Sequence, residues 1–208
     1  LKSMLIIGHR GAGWQRSSCP LKENTMEAFQ YALDNGADGI ETDVRASNTG
    51  AAVLHHDPVN DKPTAELLLL EELLDWAPDD FLLNLEVKHP SAVPGLLDVM
   101  KRYKKRYLIT SFWHNVAFAV SRATSADCGL LMPIRPIYIK PFLQLIPFQM
   151  THIVWDYNVY DENLVEGLSK FKHIIYNCPS DDGPPADGII SDYIHDHRKR
   201  YNTTTEKV

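Results

Sequence analysis

A closed, compact (β/α)8 barrel in a single domain is the fold class that this 208-residue chain predicts, and three observations predict it. Short apolar runs alternate with amphipathic stretches along the chain, as in β-α units laid on a parallel sheet. About eight of those runs read as strands, which favours closure over an open sheet. Polar residues cluster directly after them: His9 and Arg10, Glu41 and Asp43, Glu86 and Lys88, Ser111, Asp156, Asn177 and Asp192. Barrels of this class carry their chemistry at those C-terminal strand ends. The 44% of hydrophobic residues is enough for one full core, near the lower size limit of a barrel.

Met4 to Gly8 reads as a buried strand. From Asn24 to Leu33, Met26, Ala28, Phe29, Ala32 and Leu33 recur on a helical period, with Asn24 as cap, Glu27 completing a capping box and Asn35-Gly36 as the stop. Gly39–Val44 and Ala52–His55 read as strands, and the leucine-rich Thr64–Trp76 as a helix. Phe81–Lys88 is a strand; Pro90 and Pro94 bracket the start of a helix running to about Tyr103. Strand Tyr107–Phe112, helix His114–Arg122 and strand Cys128–Met132 follow. Ile137–Phe148, broken by Pro141 and Pro147, reads as an irregular helix. Strand His152–Trp155, helix Glu162–Ser169, strand His173–Asn177 and strand Gly188–Ser191 complete the series. The barrel is expected over residues 4–194, with 195–208 as a tail that is disordered from Tyr201.

The net charge of −6 and the lack of a basic stripe argue against nucleic acid as a partner. The densest basic run, Lys101 to Arg106, suits the C-terminal turn of a helix and the loop after it. Cys19, Cys128 and Cys178 form no framework spacing, which points to free thiols in a reducing compartment. No apolar run approaches the length of a membrane span and no signal peptide is visible, so no transmembrane segment and a cytoplasmic location are expected.

Glu41 and Asp43 stand two apart on one strand, so both side chains point the same way; Glu86 and Lys88 repeat the arrangement. Carboxylates gathered at one barrel mouth repel unless a cation sits between them, and oxygen ligands suit Mg²⁺ or Ca²⁺. The alternative is a set of solvated strand ends. Glu86 speaks against it, because Leu82, Leu83, Leu85 and Val87 bury that strand on both faces and a charge there needs partners. Arg10 is a natural bidentate donor to a phosphate, and His9 a general acid or base near neutral pH. Of His55 and His56 only one can face the mouth, and alternation alone leaves the choice open. No Walker or dinucleotide loop, no Gly-x-Ser-x-Gly elbow and no Cys/His zinc spacing is present. Two imidazoles, a guanidinium and a carboxylate set are equipment for cleaving a phosphodiester.

These motifs are weak singly; their order and spacing are not. Gly8-His9-Arg10-Gly11, Glu23-Asn24-Thr25, Gly39-Ile40-Glu41-Thr42-Asp43, His56-Asp57-Pro58, Asn84-Leu85-Glu86-Val87-Lys88, Thr110-Ser111-Phe112 and Asp187-Gly188-Ile189-Ile190-Ser191-Asp192 follow in turn. Over residues 4–194 the chain closely resembles the glycerophosphodiester phosphodiesterase family of phospholipase-C-like barrels. The resemblance implies a phosphoric diester hydrolase of lipid and glycerol metabolism that converts glycerophosphodiesters to glycerol 3-phosphate and an alcohol. By motif it makes Glu41, Asp43 and Glu86 ligands of a divalent cation, Mg²⁺ or Ca²⁺. It makes His9 and His56 the acid–base pair, which selects His56 over His55, and it makes Arg10 and Lys88 phosphate holders. Trp155 and Tyr176 are the aromatic candidates for substrate contact. Glu23 is taken as mainly structural. The family's usual insertion after His-Asp-Pro is missing, since Pro58 runs almost at once into Thr64. Where the family often carries Trp-Thr-Val-Asn on its seventh strand, Tyr176-Asn177 stands. The compact loops are also similar to those of the sphingomyelinase-D-like branch, which opens lysophospholipids through a cyclic phosphate. A non-catalytic barrel that binds a phosphoester is the reading from another class.

Overall fold

The computed structural model describes residues 4–13, 21–134 and 149–205. Eight parallel strands close on themselves: β1 (Leu5–Gly8), β2 (Gly39–Ala46), β4 (Leu82–Val87), β5 (Arg106–Ser111), β6 (Asp127–Leu131), β7 (His152–Asp156), β8 (Lys172–Tyr176) and β9 (Gly188–Ser191). β1 lies between β9 and β2 and closes the ring. The short β3 (Ala52–Leu54) pairs antiparallel with the end of β2. The helices are α1 (Met26–Asp34), α2 (Leu70–Trp76), α3 (Val93–Met100), α4 (His114–Ala123), α5 (Glu162–Val165) and α6 (Ile194–Thr205).

Alternation along the strands sorts the core into two layers. Ile7, Leu82, Leu108, Leu131, Val154, Ile174 and Ile190 fill the barrel. Ile6, Ile40, Leu83, Leu85, Ile109 and Ile153 face outward against Phe29, Leu73, Leu96, Val116 and Val120 of the helices. Strands buried on both faces read as near-continuous apolar runs, which is why their positions were legible. The inward set continues upward as Glu41, Asp43, Glu86, Thr110, Asp156 and Tyr176, so the apolar floor gives way to a polar mouth. Register fixes this neighbourhood: Glu41 is opposite Asn84, Asp43 opposite Glu86, and Glu86 opposite Thr110.

Several elements depart from the sequence expectation. Thr64–Trp76 is not one helix: a 3₁₀ turn (Thr64–Glu66) precedes α2, and the leucines between are extended. Leu69 bridges to Val53, and the Leu54 N–H donates to the Leu68 carbonyl at 2.8 Å. The open edge of β3 captures a segment whose leucine run fits helix and strand equally. Thr25, not Asn24, caps α1, its hydroxyl accepting from the Ala28 N–H. α5 is a single turn, and Gly167 beyond it takes a left-handed φ of 84°. The expected tail from Tyr201 is instead part of α6, which runs to Thr205. Its inner face is anchored by buried Ile194 and by His197, bonded to the Ser191 hydroxyl and the Pro179 carbonyl. Cys128 and Cys178 are free and buried. Cys19 and the proposed helix Ile137–Phe148 lie outside the described residues. Among the described residues no helix is long and apolar enough to cross a membrane.

Candidate active site

The turn after β1 sets the first two functional side chains. A Cβ on Gly8 would sit 2.1 Å from the Gly11 carbonyl oxygen, so only glycine lets the chain fold back this tightly. Arg10 itself takes φ 49°, a conformation that non-glycine residues seldom hold without compensation. The compensation is visible. The Arg10 N–H donates to Glu41 Oε2 at 3.0 Å, and its carbonyl accepts the Asn24 N–H at 3.0 Å. Its guanidinium reaches Glu23 Oε2 at 2.8 Å and Asp43 Oδ2 at 3.4 Å. Glu23 thus contacts the site through Arg10.

Glu41, Asp43 and Glu86 meet at the mouth, each offering an oxygen within 4.8 Å of the others. Their surroundings differ. Asp43 accepts from the Asn24 amide at 2.9 Å and lies 3.3 Å from Lys88 Nζ. Burial works against its charge, but Lys88, Arg10 and the Asn24 bond outweigh that and hold it below the usual carboxylate range. Glu86 accepts from Lys88 Nζ at 2.7 Å, yet burial dominates and raises it. Glu41 is pushed up to about 8, by burial first and then by Asp43, against the opposing pull of His9. Its Oε1 is buried with no hydrogen-bond partner among the described residues. A buried carboxylate oxygen without a donor is costly. Three converging carboxylates, one of them with an orphaned oxygen, fit a hard divalent cation, which would supply the missing partner.

Two imidazoles flank this cluster. His9 Nδ1 lies 2.6 Å from Asp192 Oδ1. An ionised carboxylate only accepts, so Nδ1 carries the proton and Nε2, 3.9 Å from Glu41 Oε2, is left for chemistry. Burial lowers the proton affinity of His9, but the Asp192 bond and the charges of Glu41 and Asp192 overcome it and raise the pKa. His56 Nδ1 lies 2.9 Å from Asp57 Oδ1, and its carbonyl accepts from Arg45 Nε at 2.7 Å, which pins the loop after β3. His55 is drawn off to the Asp57 carbonyl and Lys62. His9, Arg10, Glu41, His56, Glu86, Lys88, Tyr176 and Asn177 line one cleft of about 180 Å³.

The aromatic candidates separate. Tyr176 lines the cleft, but its hydroxyl donates to the Met132 carbonyl at 3.0 Å, so its ring rather than its oxygen faces the site. Trp155 does not reach the cleft. Val154 and Asp156 point into the barrel, so the residue between them points out; Trp155 is fully buried on the helix side, donating to His173 Nδ1 at 3.0 Å. Sequence reasoning gave no role to Asn24 beyond a cap, nor a partner to Asp192. Asp192 continues the inward period of Gly188 and Ile190, a signal that becomes readable only once β9 is paired with β1.

Residues 9–74 match the family described as Glycerophosphoryl diester phosphodiesterase. Over that segment the chain is similar to the glycerophosphodiester phosphodiesterase family. A glycerophosphodiester phosphodiesterase of Caldanaerobacter subterraneus subsp. tengcongensis is 28% identical over 210 residues, covering 80% of this chain and 81% of the relative. Among solved structures, a glycerophosphodiester phosphodiesterase from Thermotoga maritima superposes with a TM-score of 0.79 at 23% identity, covering 95% of this chain and 98% of that one. A phosphodiesterase of Oleispira antarctica, solved with the product sn-glycerol-3-phosphate, gives 0.79 at 17% identity and covers 99% of this chain and 98% of that one. At these identities the two structures speak to the fold. Nine residues (55–63) connect β3 to the 3₁₀ turn.

Proposed function

We propose that this phosphoric diester hydrolase converts glycerophosphodiesters to glycerol 3-phosphate and an alcohol by acid–base catalysis between His9 and His56, with a divalent cation held by Glu41, Asp43 and Glu86. The observation that carries the proposal is the orphaned, buried Oε1 of Glu41 in a cleft that two imidazoles also line, each oriented through Nδ1 by a carboxylate. When bound, the cation neutralises the carboxylates and stabilises negative charge on the phosphoryl oxygens. Arg10 and Lys88, held at the rim by Glu23, Asp43 and Glu86, present cationic donors to those same oxygens. One imidazole takes the proton of the attacking hydroxyl as the P–O bond forms. The other returns a proton to the departing alkoxide. Asp192 and Asp57 fix the tautomers in which Nε2 is the reacting nitrogen. Arg10 N–H and Asn24 hold Glu41 and Asp43 in place.

The test is phosphorus NMR of the protein incubated with glycerophosphocholine and Mg²⁺ or Ca²⁺, then with EDTA. A glycerol 3-phosphate signal that EDTA abolishes is expected, and it should disappear in His9→Ala, His56→Ala and Glu41→Ala. Undiminished turnover in Glu41→Ala would refute the cation assignment. A persistent cyclic phosphate would show that the attacking hydroxyl belongs to the substrate rather than to water.

A further inference from the structure

His197 stands on α6, away from the cleft, yet it is fully buried and both nitrogens of its ring are engaged. Nε2 lies 2.8 Å from the Pro179 carbonyl oxygen, in the loop after β8. A carbonyl only accepts, so Nε2 carries the proton and Nδ1 keeps a lone pair. Burial pulls the pKa of the ring below its ordinary value, against the Pro179 bond and the charge of Asp196, and so favours this neutral form. Nδ1 lies 2.7 Å from the Ser191 hydroxyl, which is therefore the donor in that contact. The Ser191 oxygen in turn accepts the Tyr193 N–H at 2.8 Å. Each bond from Pro179 through His197 and Ser191 to Tyr193 thus has one possible direction.

The residue enclosed by those bonds is Asp192. By reaching two residues ahead, the Ser191 hydroxyl closes a tight turn with Asp192 in its middle. Ser191 is also held through its backbone, since its carbonyl accepts the His9 N–H at 3.0 Å. From the other side the chain after β1 presses on the turn: a Cβ on Gly13 would sit 2.7 Å from the Asp192 carbonyl oxygen. Out of this clamp Asp192 Oδ1 meets His9 Nδ1 at 2.6 Å, a contact that leaves little room for the carboxylate to shift. His197 supplies the second anchor of the Ser191 oxygen, and a single side-chain rotamer satisfies both anchors. We infer that His197 is a positioning residue: through the Ser191 hydroxyl it holds the turn that aims Asp192 at His9. The inference rests on the acid–base reading above, in which His9 reacts through Nε2.

Two substitutions separate the two bonds of the ring, because the asparagine amide reaches the place of Nδ1 and the glutamine amide that of Nε2. His197→Asn keeps an acceptor for the Ser191 hydroxyl and gives up Pro179. His197→Gln keeps a donor for Pro179 and gives up Ser191. Ser191→Ala breaks the same bond from its other end by removing one oxygen, and it replaces the glutamine variant should that one fail to melt cooperatively. Turnover of glycerophosphocholine gives kcat and KM. The far-downfield proton NMR signal of His9 Nδ1–H, assigned by its loss in His9→Ala, reports the Asp192 bond independently of activity. His197→Gln and Ser191→Ala should lower kcat about tenfold or more at unchanged KM, since a misplacement of about 1 Å can cost about 10²-fold. Both should also weaken the downfield signal, and His197→Asn should restore rate and signal together. Wild-type kcat and signal in the glutamine and alanine variants, or equal losses in the asparagine and glutamine variants with the signal intact, would reduce His197 to an anchor of α6 and overturn the inference. A wild type that shows the signal but no turnover overturns the acid–base reading instead, and the signal in the variants then decides the positioning role by itself.

Discussion

At the scale of single residues, the imidazoles and carboxylates at the mouth are set by their second partners. Asp192 does two things to His9: it fixes the tautomer and it raises the pKa. Asp192→Asn should therefore lower kcat about 10²-fold, in the range of a mispositioned general acid or base. Because the raising influence is gone, the His9 limb of the pH–rate profile should move to lower pH; an unmoved limb would show that Asp192 is only a spacer. Glu41 makes a second case, with stability as the readout. Unfolded, its carboxyl releases a proton near the ordinary value of 4.5, whereas folded it holds on to about 8. The folded state then binds more protons than the unfolded one, so cation-free stability falls as pH rises between those values, by at most about 1.4 kcal/mol per pH unit. In EDTA, Glu41→Gln should remove that slope and melt above the wild type at pH 8, though not at pH 4. Identical melting curves at pH 8 would mean that Glu41 is not the strained member of the cluster. Neither role was legible from spacing, because both depend on which strand lies beside which.

At the scale of elements, adjacent residues have been given different work. Asn24 and Thr25 both look like helix caps in the sequence. Thr25 is the cap. Asn24, at φ 53°, turns its amide inward, accepting from the Thr42 hydroxyl at 2.7 Å and donating to Asp43. Thr25→Ala should cost about 1 kcal/mol in denaturant unfolding with activity retained. Asn24→Gly keeps the left-handed backbone accessible, yet should cut activity tenfold or more, since Asp43 loses a donor. Loss of activity in Thr25→Ala rather than in Asn24→Gly would reverse these assignments. The strands were readable because burial on both faces writes them as unbroken apolar runs, Leu82 to Val87 above all. The Leu67–Leu70 stretch was not, because its extended form is imposed by the open edge of β3 and not by its own periodicity. That Glu41 shares a face with Asp43, and Glu86 with Lys88, followed from period-two alternation alone. The outward direction of Trp155 required the same rule with the strand's register known.

For the molecule as a whole, ring closure makes the fold cooperative and ties it to the site. Each barrel strand has a neighbour on both sides, and the cluster at the mouth draws carboxylates from β2 and β4 while the imidazoles beside it follow β1 and β3. A cation that binds the folded barrel and not the open chain stabilises by RT ln(1 + [L]/Kd), about 2.7 kcal/mol at a hundredfold excess over Kd. Millimolar Mg²⁺ or Ca²⁺ should accordingly raise the melting temperature by several degrees, and Asp43→Asn should abolish most of that rise. A melting temperature indifferent to both ions would count against the carboxylate site. The pairing of His9 with Asp192 also has a consequence in time. The three carboxylates are all translated by residue 86, whereas the partner of His9 lies 183 positions downstream of it. At roughly 5–20 residues per second, synthesis of that interval takes on the order of 10–40 s. A chain that stops short of Asp192 carries the residues of the carboxylate cluster but leaves the His9 imidazole without its orienting carboxylate. An interrupted translation product therefore lacks the carboxylate that orients His9.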